Sequence, residues 1–319
     1  MSTCLVTGGA GFIGSHIVEA LVQRKIKVKV IDNLSTGFLD NLIPFGRAVE
    51  FQKGDICKTQ DIERAVQGVD YVFHTAANRA VARSVDDPLY TNEVNVTGTL
   101  NVLLAARSAK VKRVIYSASS SAYGETDKDV LQETDLPMPE SPYAAQKLMG
   151  EYYCRIFTRL YGLETVSLRY FNVFGPRQNP ESKYSAVIPI FVARMLKDEP
   201  PEIHWDGKQS RDFSYVDNVV YGNLCAMTAA RASGEVFNIA CHEEYSVLDI
   251  FHELKKILKK PNIQPIFEPK RAGDVRRTFA DISQARKILK FKPQTPFHAG
   301  LKKTVDWFLE SKILERAAL

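Results

Sequence analysis

Residues 7–14 read Thr-Gly-Gly-Ala-Gly-Phe-Ile-Gly. They lie between an apolar run at residues 4–7 and a stretch, Phe12–Gln23, in which Ile13, Ile17 and Leu21 recur at helical spacing. A strand must therefore turn directly into a helix across Gly8, Gly11 and Gly14. Gly8 permits the tight turn, Gly11 leaves the backbone open to an approaching anion, and Gly14 lets the helix lie close on the strand. The helix N-terminus aims unpaired N–H groups and its positive dipole end at the same spot. Asp32 follows the next apolar run, 18 residues after Gly14, where a carboxylate can accept both hydroxyls of a nucleotide ribose. This arrangement predicts a dinucleotide site; the other reading is a glycine-rich structural turn. An acid at position 32 repels a 2′-phosphate, and the next residue is Asn33 rather than Arg, so NAD is favoured over NADP. In Gly54-Asp55-Ile56, Asp55 could accept from an adenine amino group, or the segment is a surface turn with a solvated carboxylate.

The rest of the first half repeats this alternation. Residues 27–31, Tyr71–His74, 113–117 and 165–169 read as strands, with long helices at residues 88–109 and Pro142–Tyr161. Strands alternating with helices predict an α/β fold built on a doubly wound parallel sheet. Ligands of such sheets sit beyond the carboxyl ends of the strands. The second half is less regular. Pro and Gly cluster at residues 174–176 and 200–201, residues 236–240 read as one more strand, and residues 246–259 and 301–314 read as helices. This half is expected to form a smaller C-terminal lobe interleaved with the sheet.

Composition narrows the function. Of 319 residues, 45% are hydrophobic and 25% charged, so the chain is neither disordered nor fibrous. The net charge of +5 is spread along the chain, which gives no nucleic-acid footprint but suits a small anionic ligand. The five cysteines form no CxxC pair, so free thiols in a reduced compartment are expected, and no metal site. No secretory signal or membrane-spanning run is visible, and a cytoplasmic location is expected.

Tyr143 and Lys147 stand at i, i+4 on the predicted helix, on one face. A nearby ammonium and the positive ring of an oxidised nicotinamide favour a phenolate, which makes a tyrosine usable as a base near neutral pH. Taken alone, the pair could be an ordinary surface pair. The strand at residues 113–117 is followed by Ala118-Ser119-Ser120-Ser121-Ala122-Tyr123-Gly124, which delivers hydroxyls where a nicotinamide should lie. A serine-rich turn without chemistry is the plainer reading of that stretch.

These motifs, together with residues 169–176 (Arg-Tyr-Phe-Asn-Val-Phe-Gly-Pro), Ser210-Arg211-Asp212-Phe213 and Arg271-Ala272-Gly273-Asp274, resemble the extended short-chain dehydrogenases/reductases over nearly the whole chain. Within that family the resemblance is closest to the UDP-sugar 4-epimerases. Asn172-Val173-Phe174-Gly175-Pro176-Arg177-Gln178-Asn179-Pro180 and Tyr184-Ser185-Ala186-Val187-Ile188-Pro189 point to those acting on UDP-N-acetylglucosamine. The resemblance implies a Rossmann domain over residues 1–171, with 214–241 returning to it, and a lobe mainly over 172–319 that holds the UDP-sugar. It implies a tightly bound NAD and a homodimer joined through residues 88–109 and Pro142–Tyr161. Ser119, Tyr143 and Lys147 would be catalytic. Besides Gly8, Gly11, Gly14, Asp32, Asn33 and Asp55, cofactor contacts would come from Phe12, Ile13, Ser35, Thr36, Gly37, Ile56, Thr75, Ala76, Ala77, Asn95, Ser117, Tyr143, Lys147 and Tyr170. The UDP-sugar would be held by Ser119, Ser120, Ser121, Tyr143, Asn172, Ala186, Val187, His204, Arg211, Arg271, Asp274 and Thr278. Two arginines suit a diphosphate. His204 stands where relatives carry an aromatic ring on the uracil, and Arg79 where some carry a lysine near the cofactor.

Relatives that expel the sugar 6-hydroxyl have Asp and Glu after the catalytic Thr, and decarboxylating relatives a Glu at the second position. Here those positions are Ser120 and Ser121. The expected reaction is therefore 4-epimerisation through a transient 4-keto sugar, on the N-acetylglucosamine/N-acetylgalactosamine and glucose/galactose pairs. Epimerisation of UDP-glucuronate and a non-catalytic NAD-binding sensor are the alternatives. Galactose-restricted relatives carry a Tyr where this chain has Thr278, so the acetylated sugar should fit; otherwise Thr278 lies in a surface strand and pocket width is set elsewhere.

Overall fold

The structure, a computed structural model, describes residues 2–79, 81–180, 186–270 and 275–311. Its first half runs β1 (Thr3–Thr7), α1 (Phe12–Gln23), β2 (Lys27–Asp32), β3 (Val49–Lys53), α2 (Thr59–Ala65), β4 (Tyr71–His74), α3 (Val81–Asp86), α4 (Pro88–Asn92), α5 (Gly98–Ser108), β5 (Arg113–Ser119), α6 (Pro142–Tyr161) and β6 (Glu164–Tyr170). The second half adds β7 (Val173–Phe174), α7 (Val187–Leu196), β8 (Glu202–His204), β9 (Ser210–Asp212), β10 (Ser214–Tyr215), α8 (Val216–Thr228), β11 (Val236–Ile239), β12 (Glu244–Ser246), α9 (Val247–Ile257), β13 (Ile266–Glu268), β14 (Arg277–Thr278) and α10 (Phe297–Glu310).

Seven strands form one parallel sheet in the order β11-β6-β5-β4-β1-β2-β3. β1, β5 and β6 are buried almost throughout because helices cover both faces, which is why they read as continuous apolar runs rather than alternating ones. The chain moves outward from β1 to β3 and then crosses back to β4. The order therefore reverses between β1 and β4, which opens a crevice at their carboxyl ends. β11 pairs with β6 at the far edge, so the chain re-enters this sheet after α8. The short strands form β10-β7, β12-β9-β14 and β13-β8.

Three stretches depart from the sequence reading. Residues 88–109 are not one helix. Asp87 caps α4 by accepting from the Tyr90 N–H at 3.0 Å, a π-helical turn follows at Glu93–Thr97, and α5 then begins. The turn directs Asn95 inward, where it binds the Asn78 backbone. β3 and α2, which the sequence pattern did not signal, stand at the sheet edge with half-exposed faces and a correspondingly weak apolar rhythm. The expected helix at residues 301–314 starts earlier, at Phe297 after Pro296, and is described to Glu310; residues 312–314 lie outside the described residues. Among the described residues no helix is long and apolar enough to cross a membrane.

Candidate active site

The crevice between β1 and β4 is walled by the glycine turn. Gly8 has φ +70°, and a Cβ there would lie 2.7 Å from the Ala76 backbone. A Cβ on Gly14 would lie 2.2 Å from the Gly8 carbonyl oxygen. Only hydrogen fits at either place, so the turn holds a shape that leaves room above it for a phosphate group. Asp32 ends β2, nearly buried; its carboxylate accepts from the Ala10 N–H at 3.0 Å and the Leu34 N–H at 2.8 Å. Burial raises its pKa, and those two N–H groups oppose the rise. Asn33 Nδ2 donates to Asp55 at 3.1 Å. Burial also acts to raise Asp55, but the Cys57 N–H and the Asn33 amide outweigh it and hold the carboxyl below its usual range. The same cleft takes in Phe12, Ile13, Ser35, Thr36, Ile56, Thr75, Ala76, Ala77, Ser117, Tyr143, Lys147 and Tyr170. An open glycine turn, an acid at the end of the second strand and a long cleft running to Lys147 fit a dinucleotide.

A second cleft of about 500 Å³ joins the first at Tyr143, Tyr170 and Arg79. Ser119, at the end of β5, accepts from the Ser121 N–H at 3.2 Å and the Ser121 hydroxyl at 2.8 Å, and it lines the same cleft as Tyr143. Tyr143 enters on the first turn of α6, whose N-terminus is fixed by Ser141 (Oγ accepts from the Ala144 N–H at 3.2 Å) and by Pro142. Burial raises the Tyr143 phenol above its usual range, while the Ser119 side chain and the charge of Arg79 pull it down. Lys147, one turn on, is 4% exposed and donates from Nζ to the Ser117 carbonyl at 2.8 Å. Burial lowers its ammonium to about 8. The sequence expects Lys147 to be the cation beside the phenol. The structure engages Nζ with Ser117, and the cation acting on Tyr143 is Arg79. The sequence signals for Arg79 are a long cationic side chain among the small residues after β4 and the lysine that some relatives carry at that place.

Several expected contacts stand elsewhere. Asn95 is 1% exposed and does not line the crevice: its amide is taken up by the Asn78 backbone and by Gln146. Gly37 lies behind Asp32, where a Cβ would touch the carboxylate at 3.0 Å. Of the residues expected to hold the UDP-sugar, Ser119, Ser120, Ser121, Tyr143, Asn172, Ala186, Arg211 and Thr278 share the second cleft. Val187 opens α7 outside its lining. His204 on β8 also lies outside it, with Nδ1 against the Pro269 carbonyl at 3.1 Å. Its neighbour Trp205 holds φ +64° with Lys270 Nζ 4.3 Å from the ring centroid. Arg211 donates to the Val275 carbonyl at 2.7 Å and fixes the approach to β14. Asn172 Nδ2 donates to Thr278 Oγ1 at 3.3 Å. Arg271 and Asp274 lie outside the described residues. Among the described residues no cluster of His, Cys, Asp and Glu could hold a metal ion.

Comparison with known proteins identifies the family. Residues 4–240 match the family described as the NAD dependent epimerase/dehydratase family. The chain belongs to that family, and its cofactor is NAD. It is 40% identical to a UDP-glucose 4-epimerase of Thermotoga maritima solved with UDP-glucose, covering 97% of this chain and 99% of that one at a TM-score of 0.92. It is also 40% identical to a UDP-N-acetylglucosamine 4-epimerase of Methanobrevibacter ruminantium solved with UDP-N-acetylmuramic acid, over 97% and 99% of the two chains at 0.93. A UDP-glucuronic acid 4-epimerase of Bacillus cereus, solved with UDP-glucuronic acid and NAD, is 33% identical over 97% and 99% at 0.89.

Proposed function

We propose that the protein is a 4-epimerase of UDP-hexoses, interconverting UDP-N-acetylglucosamine with UDP-N-acetylgalactosamine and UDP-glucose with UDP-galactose. The observation that carries this reading is Tyr143 at the junction of a dinucleotide cleft with a second cleft that also takes in Ser119, while Ser120 and Ser121 there offer no carboxylate. Tyr143 takes the proton of the sugar 4-hydroxyl and Ser119 orients that hydroxyl. Lys147 keeps positive charge beside the nicotinamide end of the crevice, and Asp32 holds the adenosine ribose. NAD supplies a reversible acceptor for the C4 hydrogen. Asn172, Arg211, Arg271 and Asp274 hold the UDP end, so the hexose is free to turn over and offer its other face. The glycine turn and Asp32 belong to the unit over residues 1–171, and the UDP contacts mainly to the lobe over 172–319.

UDP-glucuronate is the second reading. It is favoured by Arg79, a cation in the sugar cleft beside Tyr143 that could pair with a C6 carboxylate. The test is incubation of the pure protein with UDP-N-acetylglucosamine, UDP-glucose and UDP-glucuronate and separation of the products. Conversion of the first two supports the proposal, conversion of UDP-glucuronate alone replaces it, and no conversion of any overturns it.

We also propose a cytoplasmic homodimer. Met149, Tyr152, Ile156 and Leu160 form an exposed row at helical spacing on α6, with exposed Leu89 on α4 and Leu104 on α5. All five cysteines are free, as a reducing compartment would keep them.

A further inference from the structure

One turn beyond Lys147 on the same face of α6 stands Glu151, 3% exposed. Its Oε1 accepts from Arg169 Nε at 2.9 Å and its Oε2 from Nη2 at 2.8 Å; Arg169, on β6, is also 3% exposed. The guanidinium lies 4.6 Å from the Tyr123 ring centroid. The Tyr123 hydroxyl donates to Asn238 Oδ1 at 2.7 Å, and the Asn238 N–H to Glu133 Oε1 at 2.8 Å. Removing two charges from water offsets most of what such a pair contributes to folding, so stability alone is a poor reason for it. Its place is informative: among the described residues no ion pair joins Lys147 to Glu151, although i, i+4 is the spacing at which helical Lys and Glu meet. Lys147 Nζ donates to Ser117 instead.

We propose that Glu151 and Arg169 together position Lys147: Glu151 supplies a fixed negative charge behind the ammonium, and Arg169 holds that carboxylate back so that it cannot draw Nζ off the Ser117 carbonyl. This rests on the reading of Tyr143 and Lys147 as the working pair. Three other groups around the ammonium carry no charge at neutral pH. His74 on β4 is kept neutral, lowered to about 3 by burial and by the charge of Lys147. The Tyr116 ring on β5, 5.0 Å from Nζ, is raised well above its usual range by burial. Cys154 on α6 is pushed up to about 12, also chiefly by burial. Tyr143, on the same helix, is raised as described. Burial works to discharge Lys147 and also raises Glu151 above the usual carboxylate range; the Arg169 guanidinium opposes that rise, and Glu151 is the anion that opposes the discharge of Lys147.

The two halves of the device predict opposite shifts. Glu151→Gln removes the field, so the alkaline limb of the kcat profile moves down by about one pH unit. Arg169→Met frees the carboxylate to pair with Lys147, so the limb moves up while kcat falls and KM changes little. Glu151→Gln with Arg169→Met leaves no unpaired charge and should fold even where a single variant does not; it keeps the downward shift. A purely structural role would lower the melting temperature and leave the limb in place. Profiles of Glu151→Gln and of the double variant that superimpose on the wild type overturn the inference. Tyr143→Phe and Lys147→Met are assayed alongside. Retained turnover in these means that the reading of the site has failed, whereas lost turnover with an unshifted Glu151→Gln limb means that only this inference has.

Discussion

The end of the cofactor cleft made by the glycine turn and Asp32 takes its shape from neighbouring pieces of chain, whereas the second cleft is assembled from side chains far apart in sequence. On the first side the Gly8 N–H donates to the Ile31 carbonyl at 2.8 Å, and the Ala10 N–H to Asp32 at 3.0 Å. On the second, Asn172 reaches Thr278, and Arg211 the Val275 carbonyl. A site made by backbone in a tight turn tolerates few residue types. A site made by side chains on short strands can change one residue at a time, and we assign the choice of sugar to it. Tyr143 stands where the two meet and should be indifferent to that choice.

The largest expected effect tests this indifference. Tyr143→Phe removes only the ionisable oxygen and should lower turnover by about 10²–10⁴-fold, as for loss of a general base. The loss should be the same on every UDP-sugar accepted, with UDP-sugar binding nearly intact by calorimetry. Ser119→Ala should cost less, because the phenol can still reach the 4-hydroxyl directly. Wild-type turnover in Tyr143→Phe would remove the mechanism, and a loss confined to one sugar would remove the division of labour between the clefts.

The same contrast decided what could be read in the sequence. The glycine turn, Asp32 and the α6 pair are local patterns, and the helix Pro142–Tyr161 has the bounds expected, with Gly162 in the left-handed conformation after its last turn. The parallel sheet followed from strand–helix alternation. Asn95 was misplaced because a π-helical turn, invisible to a periodicity of 3.6, turns its amide away from the crevice onto the Asn78 backbone. Arg79 was undervalued because its meaning depends on α6 bringing Tyr143 to it. β7, β9, β10 and β14, with two or three residues each, are too short for any alternation to register, and only tertiary pairing makes them strands.

Thr278→Tyr sharpens the comparison on the sugar side. Thr278 is half-buried on β14, lines the sugar cleft and accepts from Asn172. A phenol ring there fills space that a 2-acetamido group would need, and overpacking of about 1–3 kcal/mol corresponds to roughly 5–150-fold. UDP-N-acetylglucosamine turnover should fall by that factor, and UDP-glucose turnover should stay within a few-fold, because a steric block acts on the larger substrate. Equal losses on both sugars in steady-state assays would show that pocket width is set elsewhere.

The smallest effects lie in stability, and two buried histidines allow the two regions to be compared there. His74 belongs to the sheet: Nδ1 bonds Thr7 Oγ1 at 2.8 Å and Nε2 bonds Thr99 Oγ1 at 3.0 Å. His16, on α1, donates from Nε2 to the Pro176 carbonyl at 3.0 Å and ties the phosphate-side helix to the segment after β7. Burial lowers both to about 3, with the charge of Lys147 adding for His74 and that of Arg177 for His16. Unfolded, each titrates near 6.5. Between those values the unfolded chain binds more protons, so stability rises with pH: this contribution is complete above about 6.5 and is lost as pH falls toward 3. Each histidine adds at most about 1.4 kcal/mol per pH unit within that window. Carboxylates titrate there too, so the measurement is the difference between variant and wild type in urea unfolding at pH 4 to 7. His16→Gln, whose amide can still donate to Pro176, should flatten the slope by one proton with little change at pH 7. His74→Asn should flatten it equally but also lower stability at pH 7, because a shorter side chain cannot span Thr7 and Thr99. A slope unchanged in either variant would mean that the histidine is not held neutral in the folded protein. Similar losses at pH 7 in both would mean that the sheet and the joint between α1 and the segment after β7 are equally rigid.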